Sequence, residues 1–167
     1  MATAPNRTIG KLLISMCTSK IVPVMEYCLK FDGCSKGNPG PAGAGAVIYK
    51  NDEEIWANSK YVGDKETNNV AEYNGLIMGL TKANELGIKE LLVLGDSELI
   101  IKQMKGEYKV KSVNIIEYYL KSKTLSRLIS EVRYEHIYRK DNTRADELAN
   151  LGLTFKVSTS NTELTQH

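Results

Sequence analysis

The stretch FDGCSKGNPGPAGAGAVIYK, residues 31–50, decides how this chain folds. It follows EYCLKF (residues 26–31), whose alternation of polar and apolar residues predicts a strand. Asp32 stands at the end of that strand. GNPGPAGAG (37–45) reads as a Gly/Pro turn, and AGAVIYK (44–50) as a second strand. The polar NDEE (51–54) predicts a hairpin turn into a third strand, EIWANSKYV (54–62).

Downstream the periodicity changes. Thr67 to Glu85 places Val70, Ala71, Leu76, Ile77, Leu80 and Ala83 at helical spacing, and Gly87 ends the helix. ELLVLGD (90–96) is a continuous apolar run, as expected of a buried parallel strand. A short helix over Ser97–Lys105 and a longer one over Val113–Leu128 follow, the latter with Ile116, Leu120, Leu125 and Leu128 as expected core positions. EVRYEHIYR (131–139) reads as a fifth strand and Thr143–Leu153 as a last helix. The order β-β-β-α-β-α-α-β-α predicts an α/β fold with a five-stranded mixed sheet. Three antiparallel strands come first, later ones add in parallel, and helices cover both faces.

The expected organisation is a leader (1–25), one domain (26–153) and a polar tail (154–167). The leader contains Arg7, Lys11 and Lys20 and no acid, so it reads either as a flexible extension or as an organelle transit peptide. At 167 residues the chain suits one domain with a sizeable core, and no apolar run reaches membrane-spanning length. Cys17, Cys28 and Cys34 form no metal-finger spacing, which argues against zinc and for a reducing compartment, cytoplasm or nucleus unless the leader targets an organelle. Outside leader and tail the net charge is −1, so bulk charge does not mark a nucleic-acid binder. Locally, seven cations from Lys102 to Arg127 face only Glu107 and Glu117, a +5 segment that could follow a phosphate backbone or simply be a solvated face.

Four acids stand at the ends of these elements: Asp32, Glu72 in TNNVAEYNGL, Asp96 in LLVLGDSELI and Asp146 in NTRADELANLG. Each has a bland explanation. Asp32 could be a turn residue, Asp96 a helix cap, and Asn69–Glu72 and Thr143–Asp146 capping boxes. Converging in space, the four would instead bind divalent cations around a phosphodiester.

Taken in order, DGCSKGNPGPAGAGAV (32–47), TNNVAEYNGLIMGL (67–80), GDSELIIKQ (95–103) and NTRADELAN (142–150) resemble the type 1 ribonuclease H domain, over about Glu26 to Leu153. The resemblance implies a monomeric endonuclease that hydrolyses the RNA strand of RNA/DNA hybrids, with two Mg²⁺ ions (Mn²⁺ as a substitute) at Asp32, Glu72, Asp96 and Asp146. By the same resemblance Gly33, Ser35, Asn38, Asn68 and Asn69 would contact the hybrid's sugars and minor groove, and Thr67 with Asn68 a DNA-strand phosphate. The chain departs from bacterial members in three ways. RKDNTRAD (139–146) has no loop histidine, so Arg139 or Lys140 is expected in its place, while His136 falls within a strand. The basic handle helix is missing, and Glu98 stands where a glutamine usually meets the hybrid. These departures leave two alternatives: a non-catalytic nucleic-acid-binding module, or a two-metal nuclease preferring double-stranded RNA.

Overall fold

A computed structural model describes residues 24–160 of the chain, with side chains to Lys156. Residues 1–23 and 161–167, on which most of the leader reading, Cys17 and the end of the tail fall, lie outside the described residues. Five strands form one sheet: β1 (Tyr27–Ser35), β2 (Gly40–Lys50), β3 (Glu53–Glu66), β4 (Glu90–Gly95) and β5 (Glu131–His136). Its order is β3-β2-β1-β4-β5. β1–β2 and β2–β3 pair antiparallel, β1–β4 and β4–β5 parallel. Four helices complete the fold: α1 (Asn68–Glu85), α2 (Glu98–Lys105), α3 (Val113–Arg127) and α4 (Thr143–Ser160). None of the described helices is long and apolar enough to cross a membrane.

The glycine-rich stretch differs from its expected form. Only Lys36–Pro39 turns; β2 already starts at Gly40. Strand pairing explains why glycine is needed there. Gly33 pairs with Ala44, and Asp32 with Gly45, so Gly33 and Gly45 face opposite sides of the sheet. A Cβ on Gly33 would lie 2.2 Å from the α1 backbone at Ala71 and Glu72. One on Gly45 would lie 2.5 Å from the Ala149 amide of α4. The two glycines admit α1 and α4 at van der Waals distance to the same strand pair, one on each face.

The larger core lies on the α1 side. Leu29, Phe31 and Ile48 from the sheet meet Tyr73, Leu76 and Leu80 of α1 and Ile100, Ile101 and Met104 of α2. The α4 side is thinner, built on Val47, Ala145 and Leu148. A buried bond from the Tyr73 hydroxyl to Gln103 Oε1 (2.6 Å) ties α1 to α2. In α3 the expected core positions are corrected. Ile116, Leu120 and Leu128 are exposed, and the buried residues are Ile115 and Ser122, with Leu125 partly buried against the core. α3 packs on α1 rather than on the sheet, so another stripe of the helix turns inward. α4 also continues past Leu153 to Ser160.

Candidate active site

Three of the four acids converge at one end of the sheet. Phe31 pairs with Gly95 across the parallel β1–β4 ladder, so Asp32 on β1 and Asp96 just past the end of β4 are the next residues along two adjacent chains. Adjacent strands lie roughly 4.8 Å apart. Glu72 comes from the second turn of α1, brought over β1 where Gly33 has no side chain. Asp32, Glu72 and Asp96 each offer a carboxylate oxygen, and these atoms lie within 4.8 Å of one another.

The bland explanations for these three acids do not apply. Asp32 is inside β1 and 5% exposed, not in a turn. The cap of α1 is Thr67, whose Oγ1 accepts from the Val70 amide at 3.2 Å. The cap of α2 is Ser97, whose hydroxyl accepts from Ile100.

Crowding buried carboxylates has an electrostatic cost. Burial, then the Asp96 charge, pushes the Asp32 carboxyl up to about 7. Burial first, and then Asp32, raise Glu72 well above the ordinary range. Glu72 Oε2 is buried with no hydrogen-bond partner. A buried oxygen of this kind, among acids that repel one another, suits a divalent cation: hard oxygen donors and several negative charges, with only the Gly33 amide donating to Asp32 Oδ1 at 2.9 Å and nothing to Glu72 Oε2.

Asp146 stands outside that group, on the first turn of α4, with its side chain 34% exposed. Its charge still raises Asp32. Arg139, in the single 3-10 turn Arg139–Asp141 after β5, reaches Asp146 Oδ1 at 3.8 Å, and Asn150 Nδ2 donates to the same oxygen at 3.4 Å. Lys140 is exposed in the same turn.

A residue absent from the sequence reading links the two flanks. Asn142 is fully buried. Its Nδ2 donates to the Phe31 carbonyl at 2.9 Å, one residue before Asp32, and its own carbonyl accepts from the Asp146 amide at 3.1 Å. One residue thereby ties the strand of the first acid, through its side chain, to the helix of the fourth, through its main chain. The available signal was an asparagine in the capping place ahead of a helix whose fourth residue is an acid.

The polar residues form a second group beside the acids. The Ser35 amide donates to Asn68 Oδ1 (2.8 Å), the Asn68 amide to Asn38 Oδ1 (2.9 Å), and the Ser35 hydroxyl to the Glu66 carbonyl (2.6 Å). Asn69 follows, half-buried. A cleft of about 300 Å³ opens beside Thr67, lined also by Pro39, Lys65, Val70 and Asn114. Glu98, on the first turn of α2, is neutralised locally by Lys102 at 2.6 Å, which also keeps its carboxyl below the usual range.

Comparisons with known proteins agree with this geometry. The family model described as "Reverse transcriptase-like" matches residues 30–152. The bifunctional protein Rv2228c of Mycobacterium tuberculosis is 45% identical over 127 residues, which cover 75% of this chain and 35% of that protein. This chain therefore spans about a third of the length of that relative. The N-terminal RNase H domain of Rv2228c, solved as a fusion with maltose binding protein, superposes with a TM-score of 0.75 at 40% identity, covering 80% of this chain and 97% of that chain. Ribonuclease HI of Halobacterium salinarum is 36% identical over 123 residues, 74% of this chain and 62% of that enzyme. LC11-RNase H1, solved in complex with an RNA/DNA hybrid, has a TM-score of 0.73 at 37% identity, covering 78% of this chain and 99% of its own.

Proposed function

The chain belongs to the ribonuclease H family, and on that premise we propose that it is an endonuclease hydrolysing the RNA strand of RNA/DNA hybrids. The observation that carries the reading is the convergence of buried Asp32 and Glu72 with half-buried Asp96, with Glu72 Oε2 left without a hydrogen-bond partner. Two divalent cations, Mg²⁺ with Mn²⁺ as a substitute, would be held by Asp32 with Asp146 on one side and Glu72 with Asp96 on the other, and when bound they supply an activated water and a counter-charge for the leaving 3′ oxygen.

The chain's own residues do the rest. Asp32 keeps its proton up to about 7 and Glu72 is raised well above the ordinary carboxylate range in the metal-free protein, so cation binding displaces protons and relieves the repulsion within the trio. Arg139 carries an exposed cation to the rim beside Asp146, where a scissile phosphate would lie. Ser35, Asn38, Asn68 and Asn69, with the Gly33 backbone, offer neutral donors and acceptors suited to ribose hydroxyls, the feature that distinguishes RNA from DNA. Thr67 and Lys65, at their cleft, suit a phosphate of the DNA strand.

The test is cleavage of a labelled RNA/DNA hybrid, a duplex RNA and single strands of the same sequence, with Mg²⁺, Mn²⁺ or EDTA. Metal-dependent cutting of the RNA strand in the hybrid alone is expected. Preferential cutting of duplex RNA would replace the substrate assignment. Hybrid binding without turnover by folded protein would mean a binding module.

A further inference from the structure

β5 is the edge strand beside β4, and the two run in register up to Gly95 opposite His136. The Ile137 amide donates to the Gly95 carbonyl at 3.0 Å, and there the ladder ends. Asp96 therefore leaves the sheet just where its carboxylate must face Asp32. Its peptide is not secured by the helix that follows. In a regular helical turn the Ile100 amide would aim at the Asp96 carbonyl, but here it donates to Ser97 Oγ at 3.4 Å.

The Asp96 carbonyl is met instead by the imidazole of His136, Nε2 at 3.2 Å. A carbonyl oxygen only accepts, so the contact requires the ring proton on Nε2. The ring is itself braced by Tyr138, edge to face at 5.9 Å between centroids and 78° between planes. Three residues beyond His136, Arg139 reaches Asp146. The end of β5 and the turn after it thus touch two of the acids, Asp96 through its main chain and Asp146 through its side chain.

We propose that His136 is a positioning residue: by donating from Nε2 to the Asp96 carbonyl it fixes the peptide from which that carboxylate projects, and so sets Asp96 against Asp32 for cation binding. The proposal rests on the ribonuclease H reading but concerns a residue that touches neither substrate nor cation. It calls for a neutral donor and for no change of charge. Groups that orient a ligand from behind typically change metal affinity 10- to 100-fold when removed.

The chain has two histidines, His136 and the final His167, so side-chain ¹⁵N–¹H spectra are simple to assign. In metal-free protein at pH 8, above the ordinary imidazole range, His136 is expected as the Nε2–H tautomer. His136→Leu should weaken Mn²⁺ binding, read by electron paramagnetic resonance, at least about tenfold, and lower kcat with the hybrid KM little changed. His136→Gln, whose side-chain amide can also donate, should restore most of both. An Nδ1–H tautomer, or a folded Leu variant that binds Mn²⁺ like the wild type, would overturn the proposal. Tautomer and Mn²⁺ affinity are read without turnover. Wild-type protein that cut no hybrid would refute the catalytic reading, and these two readouts would still decide the role of His136.

Discussion

Asp32 projects from β1, Glu72 from a helix packed directly on that strand, and Asp96 from the residue just past β4, so the β1–β4 ladder and the Gly33 contact bring the three together. Asp146 projects from the first turn of α4 and is held by longer, wetter contacts to Arg139 and Asn150. The inner acids are costly and rigid: burial and repulsion raise Asp32 and Glu72. The outer acid is cheap and adjustable. A site for cations and a long polyanion can use both, a fixed floor that defines charge and geometry and a rim that moves with the phosphate.

The sharpest way to break this comparison is to neutralise the floor. Asp32→Asn should lower hybrid cleavage at least about a thousandfold, roughly 4 kcal/mol of lost transition-state stabilisation. The same variant, metal-free at pH 7.5, should be more stable than wild type by about 1–2 kcal/mol in urea titrations, because a buried repulsion is gone. A variant that lost activity and stability together would mean that Asp32 is structural.

The next largest effect is on pH. Folded Asp32 keeps its proton up to about 7, whereas the unfolded chain releases it near the ordinary aspartate range. Between those values the folded state binds more protons, so metal-free stability should fall as pH rises from about 4 to about 7, by on the order of 2 kcal/mol. The raised Glu72 acts in the same direction. Mg²⁺ at pH 7.5 should recover the loss. Urea midpoints that stay level across this window would contradict a crowded floor.

The rim should respond differently. Arg139→Ala should cut turnover about tenfold. Its exposed ion pair should change stability by no more than about 0.5 kcal/mol. Equal losses in both would make the rim as rigid as the floor.

The smallest contrast lies within α3. Ile115→Ala should cost about 2–4 kcal/mol, since the residue is 3% exposed. Leu120→Glu, at 56% exposure, should stay within about 0.5 kcal/mol. Chemical denaturation of the two variants measures both.

That last pair shows what the sequence could and could not convey. The succession of strands and helices along the chain, the antiparallel-then-parallel pairing and the extent of α1 were legible, because apolar period and turn residues express local geometry. The packed face of α3 was not. Val113, Ile116 and Leu120 fall on one helical stripe as well as Ile115, Tyr119 and Leu125 do, and only the position of α1 chooses between them. The glycines of β2 read as a turn because glycine is common in turns; their reason for being in a strand, the approach of α4, is a long-range contact. In the site, the motifs drew attention to all four acids and to Arg139. The division into floor and rim depends on strand register, which no single residue announces. Asn142 was missed for the same reason: its partner, Phe31, is 111 residues away.

The most direct test of the floor as a cation site is calorimetric titration of Mn²⁺ into metal-free protein at pH 7.5, wild type beside Glu72→Gln. The account predicts saturable binding with proton release by the wild type. The Gln variant, still folded, should lose that binding and its hybrid cleavage together. Unchanged Mn²⁺ affinity and cleavage in a folded Glu72→Gln protein would contradict it.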